Sequence, residues 1–222
     1  MSKPNIDFPV RAIFDLSVEY ARGTFKKVYK GKYMNGPRNG QSCVCKVFIT
    51  GSVYEKSYFQ HELDVVCKAA EIVRTFNEHN FVDKKILINQ PQIWKFVAGN
   101  RDLALVEPMI DNFEKFNSNT GWAQDKTAWG QVMQALTHFS FHLSGGQIVL
   151  CDLQGGVYSD CVVLTDPVVM STNRRFGTTD LGKIGIDSFF YYHICNKYCR
   201  SEWIKPFRKK EVFSAIKGTT MI

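Results

Sequence analysis

Along the first fifty residues the hydrophobic positions recur at short intervals, in runs broken by turn-forming residues. SVEYARG (17–23), TFKKVYKGKYM (24–34) and SCVCKVFIT (42–50) read as β-strands. The last two are separated by NGPRNG, whose Asn, Gly and Pro supply the backbone conformations a reversal needs. From 56 to 79 the period changes. Phe59, Leu63, Val66, Ala70, Val73 and Phe76 fall on one stripe, which predicts an amphipathic helix. KKILINQPQIWKFV (84–97) and RDLALVEPMI (101–110) read as two further strands joined at a GNR turn. Beyond them, 124–141 and 183–200 read as helices, with a short strand QIVLCDL (147–153) between. A β-rich first half feeding a mostly helical second half predicts an α+β fold. The expected arrangement is two lobes, 1–109 and 110–222, with a cleft between them and the chain crossing near Pro108.

Composition narrows the class without naming a function. At 222 residues, 45% hydrophobic and 22% charged, the chain suits one large globular domain of two lobes. No apolar run approaches the roughly 20 residues of a membrane helix. The opening MSKPNIDFPVRAIF has no apolar core followed by a small-residue cleavage site. The seven cysteines are odd in number and scattered, which points to a reducing, cytoplasmic setting. Net charge is +7, concentrated at the two ends: nine Lys/Arg against three acids in 1–50, and seven against two in 197–217. Basic ends suit an anionic ligand, but no contiguous basic block or stacking repeat speaks for nucleic acid.

Three groups of residues carry candidate chemistry. Lys46 sits inside the apolar run SCVCKVFI, where a lysine needs a partner if it is buried. It either snorkels to water from an edge strand or binds phosphate, held by Glu62 or Asp64 of the following helix. Upstream, Gly23 opens a turn that serves either as a plain hairpin or as a phosphate-capping loop. The second group is Asp152, where an apolar strand ends, with Gln154 just after it and Asp166 fourteen residues on. Two carboxylates and an amide oxygen suit Mg²⁺, although acids in loops are often only turn formers. The third is FFYYHICNKYC, with His193, Cys195 and Cys199. Read as a helix, it puts the two cysteines on one face. Zinc would need a fourth ligand, for which THFSFH offers His138 and His142, and buried free thiols are the plainer alternative.

These segments occur in the order of a known family. G-x-x-K-x-x-Y at 23–29, V-C-K-V at 44–47, D-V at 64–65 and V-E-P-M at 106–109 come first. F-N-S-N-T-G-W (116–122), T-H-F-S-F (137–141), D-L-Q-G (152–155) and T-D-P (165–167) follow. L-G-K-x-G-I (181–186) and F-F-Y-Y-H-I-C-N-K-Y-C (189–199) complete the series. The chain resembles the alpha-kinases, a family that includes myosin heavy chain kinases, elongation factor 2 kinase and channel-kinases.

The resemblance implies an atypical protein kinase that moves the γ-phosphoryl of Mg-ATP to a serine or threonine of a protein substrate. Gly23 and Lys26 would belong to the phosphate loop, and Lys46 would contact the α- and β-phosphates, oriented by Asp64 or Glu62. Glu107 and Met109 would offer backbone groups to adenine. Asp152 would be the catalytic acid near the substrate hydroxyl, with Gln154 and Asp166 on Mg²⁺. His138, rather than His142, would join His193, Cys195 and Cys199 on a structural zinc. The loop 177–185 would lie over the substrate. Three positions depart from the family pattern: Lys26 for arginine, Asp180 for asparagine in the glycine loop, and a longer stretch GVYSDCVVL before T-D-P. The altered glycine loop supports one rival, a pseudokinase that binds ATP without turnover. The basic ends and the His/Cys cluster support another, a zinc-containing nucleic-acid-binding domain.

Overall fold

The computed structural model describes residues 10–49, 56–96, 103–207 and 212–222. The expected GNR turn at 99–101 lies outside them. The chain divides into two compact units. The first runs to Leu63 and adds Asn89–Asp111; the second comprises Asp64–Ile88 and Asn112–Ile222.

The first unit is built on one antiparallel sheet. Its strands are β1 (Ala12–Phe14), β2 (Ala21–Arg22), β3 (Lys26–Tyr33), β4 (Ser42–Phe48), β6 (Gln92–Lys95) and β7 (Leu103–Pro108). They are ordered β1-β3-β4-β7-β6, with β2 also on β3. Strand alternation separates the two faces. Tyr29, Tyr33, Cys43, Cys45, Ala104 and Val106 form the core on one side. Val28, Lys46 and Leu105 share the other, since Val28 is opposite Lys46 and Lys46 opposite Leu105.

Helix α1 (Lys56–Glu78) matches the expected period but is shared between the units. Its later turns bury Val65, Val66, Ala69, Ile72, Val73 and Phe76 in the core of the second unit. Strand β5 (Lys85–Ile88) follows it there, pairing in parallel with β11. The boundary at 109 is therefore corrected: 64–88 packs with the second unit. KKILINQPQIWKFV is likewise two strands, broken at Pro91, whose halves join different sheets.

The second unit is not mostly helical. From 112 onward its helices among the described residues are α2 (Ala128–Leu143) and α3 (Gly182–Tyr192). Five strands accompany them: β8 (Phe113–Lys115), β9 (Ile148–Cys151), β10 (Gln154–Val157), β11 (Cys161–Leu164) and β12 (Val168–Ser171). The stretch GVYSDCVVL is the β10–β11 hairpin, not a loop, and it sits in the sheet β5-β11-β10-β8. A separate ribbon pairs β9 with β12. β9, β11 and β12 are buried at every position, so they lack the alternation that reveals a half-exposed strand. Among the described residues no helix is long and apolar enough to cross a membrane.

Candidate functional site

On the charged face of the first unit's sheet, Lys46 and Lys26 each pair with an acid. Lys46 is only 4% exposed and its Nζ lies 2.5 Å from Glu107 Oε1. Register explains the pair. Glu107 is two residues beyond Leu105, the residue opposite Lys46, so both long side chains leave the same face on a diagonal. The sequence placed Glu107 at an adenine-binding position through its backbone; its carboxylate is on Lys46. Lys26 pairs with Glu62 of α1 and lies 5.6 Å from the centroid of Phe48, which packs on Phe59. Glu62 thus neutralises the lysine that stands in the family's arginine position. Asp64, two residues further along the helix, is exposed. Gly23 closes the β2–β3 hairpin, its amide donating to the Lys26 carbonyl at 2.9 Å. The Met109 amide donates to the Ser42 carbonyl at 3.1 Å, so a base docking there would use other main-chain groups.

In the second unit strand register gathers the acids. Cys151 of β9 is opposite Val168 of β12, so Asp152 and Asp166 emerge at the same end of that ribbon. The β10–β11 hairpin brings Gln154 beside Thr165, whose amide donates to the Gln154 carbonyl at 2.9 Å. Gln154 Nε2 donates to Asp152 Oδ2 at 3.2 Å and to the Asp166 carbonyl at 3.3 Å. With its NH₂ committed, Gln154 keeps its amide oxygen for a cation, a hard donor fit for Mg²⁺ alongside the Asp166 carboxylate. Asp152 and Asp166 both have positive φ, 57° and 45°. Such conformations are uncommon for residues other than glycine and gather at functional sites. Gly155 is required where it stands: φ is 156°, and a Cβ would meet the Val163 carbonyl at 1.9 Å.

Two partners of Asp152 left no signal in the sequence. Lys115, at the end of β8, places Nζ 2.8 Å from Asp152 Oδ1. Thr219 Oγ1 donates to Oδ2 at 2.7 Å. Burial pushes Asp152 above the ordinary carboxylate range, an effect opposed by Lys115 and Thr219 and reinforced by the nearby Asp166 charge. The F-N-S-N-T-G-W segment supports this acid from beneath. Phe116 N donates to the Leu153 carbonyl at 2.8 Å, and Leu153 N to Asn117 Oδ1 at 2.9 Å.

Asp180 does not face this group. Its carboxylate accepts from Ser171 N and Oγ, Phe176 N and Gly182 N, at 2.6 to 3.2 Å. A buried carboxylate so supplied with donors organises the loop into α3. The feature that favoured a pseudokinase is a structural acid.

Helix α3 stops at Tyr192, correcting the helix expected to residue 200. His193 is its C-cap, and Cys195 and Cys199 lie on the turn beyond. That departure brings the ligands together, because on a helix His193 and Cys195, two residues apart, would face different ways. His138 of α2 completes the group, and the four ligand atoms all lie within 4.8 Å of one another. Cys195 Sγ is 3.6 Å from His138 Nδ1 and 3.7 Å from His193 Nε2, and Cys199 Sγ is 3.7 Å from His193 Nε2. A tetrahedral zinc with bonds of about 2.3 Å to sulfur and 2.0–2.1 Å to nitrogen requires S···N edges of about 3.6 Å. His138 Nε2 contacts the Ile204 carbonyl at 3.1 Å, which assigns its proton to Nε2 and frees Nδ1 as a ligand. The donor set fits zinc. Burial lowers His138 to about 4 and His193 to about 3, keeping both neutral. His142 stays outside the group, stacked on Trp203.

A profile of the alpha-kinase family matches residues 21–199. The chain is 28% identical over 176 residues to alpha-protein kinase vwkA of Dictyostelium discoideum, covering 76% of this chain and 28% of that protein. It is 38% identical over 95 residues to eukaryotic elongation factor 2 kinase of Homo sapiens, 42% of this chain and 12% of that protein. It spans less than a third of the length of these curated relatives. Among solved structures, the alpha-kinase domain of myosin-II heavy chain kinase A in complex with AMP-PNP superposes with a TM-score of 0.75 at 21% identity. That match covers 86% of this chain and 85% of the other, a likeness of fold.

Proposed function

The chain belongs to the alpha-kinase family, and from that premise we propose that it transfers the γ-phosphoryl of Mg-ATP to a serine or threonine of a protein. The observation that carries the reading is the meeting of Asp152, Gln154 and Asp166 at one end of the β9–β12 ribbon, with both acids in left-handed backbone conformations.

ATP is the second substrate, and its phosphates are the natural anions for Lys46 and Lys26. Each lysine already has a carboxylate beside it, which fixes its orientation before a nucleotide arrives. Gln154 and Asp166 would hold Mg²⁺, whose chemistry is to neutralise the charge that spreads over the transferring phosphoryl oxygens. Asp152 orients the acceptor hydroxyl and takes its proton, and Lys115 opposes the upward push that burial gives that carboxylate. Because the transition state is loose, positioning and charge do most of the catalysis. His138, His193, Cys195 and Cys199 would hold a structural zinc, which tethers α2 to the turn after α3. With no disulfide among its seven cysteines, the chain suits a reducing, cytoplasmic setting.

The test is transfer from labelled Mg-ATP to a generic basic protein, with Lys46→Ala and Asp166→Ala beside the wild type. Transfer by the wild type, reduced about a hundredfold or more in each variant, is the expected result. A folded, zinc-loaded wild type that binds ATP and transfers nothing would replace the proposal with a pseudokinase.

A further inference from the structure

Strand β1 closes one side of the first unit's sheet, with β3 as its neighbour and no strand beyond it among the described residues. Its main chain is bonded on one side only. The Arg11 carbonyl accepts from the Met34 amide at 2.7 Å, and the Asp15 amide donates to the Lys30 carbonyl at 3.2 Å. Ile13 lies midway and is opposite Lys32. In an antiparallel ladder alternate residues face the neighbouring strand, so 11, 13 and 15 spend their main-chain groups on β3. The N–H and C=O groups of Ala12 and Phe14 therefore point outward, where another chain can pair with them.

The two faces of this edge differ. Val10, Ala12 and Phe14 pack against the core of the sheet. Arg11 and Ile13 are exposed on the opposite face, Ile13 to 64%. Lys30 and Lys32 of β3 are exposed on that face too. Asp15, the acid beside them, is taken up locally: it accepts from the Ser17 amide at 3.0 Å and from the Ser17 hydroxyl. Glu19 is held by Arg22 and Lys27. Lys30 Nζ lies 3.9 Å from the centroid of the exposed Tyr20 ring. Among the described residues, Arg11, Lys30 and Lys32 have no carboxylate at ion-pair distance.

We propose that the β1 edge takes an extended segment of an acidic partner protein, added to the sheet as a further strand. The main-chain groups of Ala12 and Phe14 hold its backbone. Side chains of the added strand alternate between the faces. Every second residue meets the apolar side of Ala12 and Phe14, and those between meet Arg11, Lys30 and Lys32. The segment that fits therefore alternates apolar and acidic residues, with affinity from the main chain and specificity from the side chains. Charge selects the partner. A second copy of this chain would present the same nine Lys/Arg against three acids of residues 1–50, so like charges would meet. The interaction does not rest on the kinase reading, because none of these residues belongs to the Lys46, Asp152 or His/Cys groups.

The experiment titrates the protein into a short fluorescent peptide of alternating Glu and Val and follows its anisotropy. Binding that weakens as salt rises is the expected result. Ala12→Pro removes an outward amide and no bond to β3, so it should keep the fold by circular dichroism. It should weaken binding about tenfold, the worth of a lost hydrogen bond. Methylating the peptide's amides tests the same bonds from the other side: on one alternate set it should abolish binding, and on the other leave it. Lys30→Glu/Lys32→Glu should lose the Glu–Val peptide and gain one of alternating Lys and Val. A wild type that leaves the Glu–Val peptide free, equal effects of the two methylated sets, or unchanged binding by a folded Ala12→Pro chain would each overturn the proposal. So would a wild type that scatters light as a dimer beside a monomeric Ala12→Pro variant, since the edge would then belong to a second copy.

Discussion

A lysine as dry as Lys46 sits at an energetic extreme, and the acid beside it decides whether the fold tolerates it. Removing one member of a buried ion pair costs about 3–5 kcal/mol, whereas replacing both with apolar groups of similar size is often neutral. Glu107→Ala should therefore lower unfolding free energy by about 3 kcal/mol in urea titrations. The double variant Glu107→Leu/Lys46→Met should recover most of that stability and still transfer no phosphate. If the double variant is as unstable as the single, the pair is not what makes Glu107 matter. Gly155 and Asp180 show two other ways a single residue is committed, one by the absence of a side chain and one by four hydrogen bonds.

At the scale of elements, the His/Cys group depends on a helix ending on time. If α3 continued past Tyr192, His193 and Cys195 could not share an ion; the turn lets three ligands from seven residues meet His138. Stripping such a site is a loss of folding energy, not only of chemistry. A zinc chelator should lower the thermal midpoint by about 10 °C or more, at roughly 2–4 °C per kcal/mol for a chain of this size. Cys199→Ser should match it and bind less zinc by elemental analysis. A midpoint indifferent to both would remove zinc from the fold. Elements also mark what the sequence could convey. Helix α1 and strand β3 were legible because one face of each is apolar and the other polar, so their periods show. Strands β11 and β12 are apolar at nearly every position, which leaves no period to read. The site acids were visible as isolated charges at the edges of apolar runs. Lys115 and Thr219 were not, because both sit in ordinary polar text and become partners of Asp152 only through tertiary contact.

At the scale of the whole molecule the candidate groups divide by charge, with the paired lysines on the sheet of the first unit and the Asp–Gln–Asp group in the second. On the proposed function, Mg-ATP should stabilise the protein by mass action. At a hundredfold excess over Kd the gain is about 2.7 kcal/mol. For a chain of this length that is a rise of about 5–10 °C in the melting midpoint with Mg-ATP. Lys46→Met should erase the rise if, as proposed, the lysine binds the nucleotide's phosphates. Asp152→Ala should keep most of it while losing transfer if, as proposed, that carboxylate serves the acceptor hydroxyl. That split separates binding from turnover in one pair of proteins. A shift produced by duplex DNA instead of Mg-ATP, and falling steeply with salt, would assign the basic ends of the chain to phosphodiester backbones. It would then leave the geometry of Asp152, Gln154 and Asp166 without a purpose.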